Sequence, residues 1–101
     1  MAKDALGCKR IRRSDARVIW DDAEDPKGNR RKVREHGLTE DEVESVLLDD
    51  DAEDVPDASH PEHCPVVGYT YTDRFIVVAW EILDDEHPVI RPITAYEPGD
   101  A

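Results

Sequence analysis

Apolar residues concentrate in the second half of the chain, and the longest unbroken run lies within Arg74-Phe75-Ile76-Val77-Val78-Ala79-Trp80-Glu81-Ile82. A half-exposed strand would alternate apolar and polar positions, so this run reads as a strand covered on both faces. Its β-branched and aromatic content, its short length and the acidic stop at Asp84-Asp85-Glu86 favour strand over buried helix. Two further runs flank it at hairpin spacing, residues 65–72 before it and 88–96 after it. The C-terminal half therefore predicts an antiparallel meander with the 75–82 strand in the middle.

The first half carries helical punctuation. Arg17-Val18-Ile19-Trp20-Asp21 reads as a short strand. A helix is expected from about Pro26 to His36, because proline fits a first helical turn and Gly37 supplies a left-handed stop. Val33 is its only aliphatic residue, and Gly28 and Asn29 weaken its start. Thr39-Glu40-Asp41-Glu42 has the form of a capping box, and Val43, Val46 and Leu47 follow at helical spacing, so a second helix is expected over 40–48. The acid- and proline-rich stretch from Asp49 to Cys64 reads as a long exposed connection, with a short edge strand near Ala52–Val55.

These elements define an α+β domain over residues 17–97. Residues 1–16 are expected to form a flexible basic tail, and 98–101 a second tail. Two helices on one face of a three- or four-stranded antiparallel sheet, extended by the 17–21 strand, bury Trp20, Val43, Val46, Leu47, Val78, Trp80 and Ile93. Two short helices cannot cover both faces of a sheet whose central strand is apolar on both sides. Either Phe75, Val77 and Ala79 or Ile76, Val78 and Trp80 must find other cover, in a homodimer or a hetero-partner.

Composition narrows the function classes. The 101 residues, 39% apolar and 38% charged, suit one small globular domain. No apolar run approaches a membrane span, and Met1–Cys8 lacks the apolar core of a signal peptide. Two cysteines, Cys8 and Cys64, make no disulfide framework, so a cytoplasmic location is expected. The net charge of −12 divides unevenly, +5 over residues 1–34 and −17 over 35–101. The whole chain therefore repels nucleic acid, while the basic patch Arg30, Arg31, Lys32 and Arg34 on the first helix is the segment able to touch it.

Few residues invite chemistry. His36, at the end of the first helix, serves either as a general acid or base or as a cation favoured by the helix terminus. Lys32, one turn earlier, would share its face. Arg91 lies in a strand and is expected to pair with an acid or face a partner; Arg74 follows a turn. Tyr69 and Tyr71, if they project from the same face, are expected to be packing residues rather than RNA-stacking platforms. His60, His63 and Cys64 are metal-ligand types in one loop, yet Pro61 and the flanking acids describe a loop better than a cage, and no metal or cofactor is expected. A phosphate-binding glycine loop, a nucleophile elbow and a triad pattern are all absent from the sequence.

The order of several short pieces resembles the BrnT-like family of small toxins, which carry the RelE-like ribonuclease fold of type II toxin–antitoxin pairs. The pieces are Ile19-Trp20-Asp21, Asn29, Glu35-His36-Gly37-Leu38-Thr39, Glu42 to Asp49, Gly68-Tyr69-Thr70, Asp73 to Val78, and Ile90 to Tyr96. The resemblance implies a β-α-α arrangement followed by an antiparallel meander. It further implies RNA endonuclease activity, an RNA substrate and a cognate antitoxin protein as partner. RelE-like ribonucleases surround the scissile phosphate with cations and a tyrosine or histidine. On this chain His36, Arg74, Arg91 and Tyr96 are the groups able to supply that set, with Arg30, Arg31, Lys32 and Arg34 as RNA contacts. The sequence departs from the family in its acidity and in lacking a basic segment after Ala95. The alternative is a non-catalytic protein-interaction module on the same scaffold.

Overall fold

The structure, a computed structural model, describes residues 11–55 and 65–99. It is an α+β arrangement of two helices and one five-stranded sheet. In chain order a 3-10 turn (Arg13–Asp15) precedes β1 (Arg17–Val18), α1 (Asn29–Glu35), α2 (Glu40–Leu47), β2 (Glu53–Asp54), β3 (Val66–Tyr69), β4 (Phe75–Asp84) and β5 (Val89–Tyr96). The strand order is β1-β5-β4-β3-β2, which puts β4 in the centre as its unbroken apolar run requires. β2 to β5 pair antiparallel, whereas β1 joins β5 in parallel.

Side chains on β4 alternate in burial. Ile76, Val78 and Trp80 face the helices and are buried; Phe75, Val77, Ala79 and Glu81 face the other way. α2 lies over β3 and β4, and α1 over β5. The core therefore collects Val33, Leu38, Val43, Val46, Leu47, Val66, Ile76, Val78, Trp80, Ile90 and Ala95. Two expected members differ. Trp20 is only half-buried, packing on the core rim and donating its indole N–H to Glu44 Oε2 at 2.7 Å. Ile93 is also half-exposed: Ala79 pairs with Thr94 and Trp80 with Pro92, so Ile93 is the extra residue of a bulge.

The first helix is shorter than the expected 26–36. Residues 22–28 form turns instead, and the helix starts at Asn29 because Asp21 supplies its cap from eight residues away: Asp21 Oδ2 accepts from the Asn29 amide at 2.8 Å. A Cβ on Gly28 would meet the Asp21 Cβ at 2.7 Å, so this approach needs glycine there. At the other end Gly37 has φ +78°, the Gly37 and Leu38 amides return to Arg34 and Val33, and buried Leu38 joins Val33 in the core. α2 opens on the expected capping box, with both Thr39–Glu42 bonds present, and ends at Leu47, one residue inside the expected range.

The tail assigned to residues 1–16 needs a correction over 11–16, which pack on the domain. Arg13, only 6% exposed, donates to the carbonyl oxygens of Leu47 (2.8 Å), Asp49 (2.8 Å) and Ala52 (3.2 Å), and to the Asp54 carboxylate (2.9 Å). One guanidinium thus neutralises the negative end of α2 and the start of the acidic connection. Residues 1–10, and the His60, His63 and Cys64 loop, lie outside the described residues.

Candidate functional site

The four residues implied as a catalytic set do not converge. Tyr96 pairs across the sheet with Val77, and Arg91 with Glu81, four residues further along β4. That separation corresponds to roughly 13 Å along the strand. His36, Arg74 and Tyr96 gather at one end. The His36 and Tyr96 rings lie 6.1 Å apart between centroids, tilted by 50°. Arg74 Nη1 donates to the carbonyl of Gly37, next to His36, at 2.7 Å. Arg91 stands at the other end, against Asp21.

Each arginine of that set is held by carboxylates of the same chain. Arg74 reaches Glu97 (2.8 Å) and the buried Glu42 (3.4 Å). Its own pKa is raised, chiefly by the hydrogen bond to Glu97, and that bond holds the Glu97 carboxyl below its ordinary value. Asp73, in the left-handed region at φ +70°, turns the chain so that Arg74 enters beneath Gly37. Arg91 donates to both oxygens of Asp21 and to Glu81 at 3.2 Å. The Arg91 bond, with the Asn29 amide second, lowers the Asp21 pKa.

The helical basic patch is divided in the same way. Arg30 and Arg34 both close on Glu40 Oε2, each at 2.8 Å, and Arg30 also donates to the Asp21 carbonyl. Burial raises the Glu40 pKa, but the bonds from Arg34 and Arg30 outweigh it and the net shift is downward. Arg31 and Lys32 remain exposed, with no ion pair to either among the described residues. Two of the four implied RNA contacts are therefore presented to solvent, although the Lys32 charge helps to lower the Asp21 pKa. No group of His, Cys, Asp and Glu among the described residues is arranged to hold a metal ion.

Two polar residues, one at each end, make long-range contacts that the sequence did not disclose. Asn29 is fully buried; Nδ2 donates to Ile19 O (3.1 Å) and Pro92 O (2.7 Å), and Oδ1 accepts from the Asp21 amide (2.8 Å). It fills the gap where β1 leaves β5, and a polar residue in the first turn of a nearly apolar-free helix was the available signal. Glu42 completes the capping box, takes the Thr72 hydroxyl and meets Arg74, which fastens the β3–β4 turn to α2. The Thr72 bond, ahead of burial and the Thr39 amide, sets the direction of its lowered pKa.

The sheet face away from the helices leaves several large apolar side chains in the open. Tyr69 is 67% exposed, Phe75 39% and Tyr96 38%, with the Tyr69 and Phe75 rings 5.0 Å apart. Tyr71, in the turn after β3, is exposed as well, so the expectation that Tyr69 and Tyr71 are packing residues is corrected. Phe75, Val77 and Ala79 are the outward set anticipated as one of two options. Among the described residues no helix is long and apolar enough to cross a membrane. No family model, curated protein or solved structure matches the chain.

Proposed function

We propose that this chain is an acidic, divergent member of the BrnT-like toxin family, on a RelE-like scaffold, that acts as a protein-binding module and not as a ribonuclease. The order β1-α1-α2 followed by an antiparallel meander supports the scaffold, together with the residue pieces that resemble the family. One observation carries the functional half: the arginines implied to face a phosphate are already neutralised, Arg74 by Glu97 and Glu42, and Arg91 by Asp21 and Glu81. A cation that stabilises a phosphorane-like transition state must be aimed at the developing charge, not at a resident carboxylate. The open aromatic sheet face supports partner binding, since among the described residues it presents the neighbouring Tyr69 and Phe75 rings to solvent.

A second reading, catalysis on RNA, is favoured by the exposed His36–Tyr96 pair beside Arg74. Induced expression without any partner separates the two. The module leaves growth and cellular RNA intact; growth arrest with cleaved RNA, abolished by His36→Ala, establishes the ribonuclease.

A further inference from the structure

The outer sheet face has a particular chemistry. Tyr69, Phe75 and Tyr96, with Val77 and Ala79 between them, form an aromatic-apolar strip across β3, β4 and β5. Exposed acids surround it. Glu53 pairs with Val67 and shares its face, Asp73 sits in the turn beside Phe75, and Glu81 and Asp84 continue along β4. From β2 to β5 the described lysines and arginines are Arg91, held by Asp21 and Glu81, and Arg74 in the β3–β4 turn, held by Glu42 and Glu97. Arg17, on β1, stands at the far edge of the sheet.

We infer that this face binds a basic, aliphatic segment of a protein partner, in which arginines alternate with residues such as leucine. The inference rests on the binding-module reading above and names the partner's chemistry. Guanidinium groups lie favourably over tyrosine and phenylalanine rings, and their charge complements the acidic rim, while aliphatic side chains cover Val77 and Ala79. A second copy is a poorer occupant, because a two-fold contact through this strip sets one acidic rim against the other.

The test uses the full chain and a labelled synthetic peptide alternating arginine and leucine, with a counterpart carrying glutamate for arginine. The arginine peptide is expected to bind, and Tyr69→Ser with Phe75→Ser to weaken it at least tenfold. Glu53→Gln with Asp73→Asn should weaken it at least threefold, while Glu24→Gln with Glu35→Gln, away from the face, leaves it unchanged. Thermal melts establish that each variant is folded. Four results overturn the inference: equal loss in the remote variant, preference for the glutamate peptide, a dimer in sedimentation equilibrium that Phe75→Ser dissolves, or at least tenfold tighter peptide binding by a chain lacking residues 1–10. The last two give the face to a second copy and to the chain's own N-terminal segment. RNA cleavage on expression overturns the underlying reading whatever the peptides do; a failed peptide with RNA intact overturns only the choice of partner.

Discussion

Asp21 and Arg91, 70 positions apart in the sequence, form a two-point ion pair, and the same aspartate oxygen that accepts from Arg91 Nη2 also accepts the first amide of α1. One carboxylate therefore fixes both the direction of the helix and the arginine that the family resemblance would assign to catalysis. Asp21→Ala should cost about 1–2 kcal/mol, the value of a lost helix cap with a partly exposed ion pair added. In a double-mutant cycle with Arg91→Ala, measured by urea unfolding, the coupling should be about 0.5–1 kcal/mol. Zero coupling would mean that the pair does not persist in solution.

Asn29 provides the sharper structural test. Asn29→Asp keeps the shape but removes the two donors that satisfy Ile19 O and Pro92 O. Leaving buried acceptors unmet costs about 1–3 kcal/mol each, so the variant should lose at least about 2 kcal/mol. A denaturation midpoint within error of the parent would show that water or another donor replaces the amide.

Arg13 separates a clasp from a tail. Removing a buried guanidinium that serves Leu47, Asp49, Ala52 and Asp54 should cost about 3 kcal/mol or more. Arg12, exposed and 3.8 Å from Asp50, should matter by no more than about 0.5 kcal/mol when replaced by alanine. Equal, small effects of Arg13→Ala and Arg12→Ala on thermal melting would return residues 11–16 to the status of a loose arm.

The contrast between those two arginines marks the limit of what the sequence discloses. The capping box, the stop at Gly37, the central β4 strand and the 88–96 strand were all legible, because each follows from local patterning of a few neighbouring residues. Arg13 was not, since a lone arginine among Lys9-Arg10-Ile11-Arg12 looks identical to its neighbours until the end of α2 comes to it from 34 positions away. Asp21 as a remote cap and Asn29 as a bridge escaped for the same reason. The candidate residues His36, Arg74, Arg91 and Tyr96 could be named from the chain, but their separation into two ends depends on strand register, which alternation alone does not fix.

Acid should unfold the protein through these same carboxylates. Asp21, Glu40 and Glu42 have folded-state pKa values below their ordinary 3.8 and 4.5. The unfolded chain therefore binds more protons in that range, and stability contributed by these groups is complete above the ordinary values and is lost as pH falls through the folded ones. Urea midpoints should be flat with respect to these groups from neutrality to about pH 5 and drop below about pH 4. Glu42→Gln should flatten part of that drop; an unchanged acid slope would remove Glu42 from the account.

Direct incubation of the purified chain with total cellular RNA at low salt, where any attraction between Arg31, Lys32 and the polyanion is strongest, decides whether the chain is a ribonuclease. No cleavage is expected above that of a His36→Ala, Tyr96→Phe double variant. Defined cleavage products from the parent chain, lost in that double variant, would contradict it and make the His36–Tyr96 end an active site.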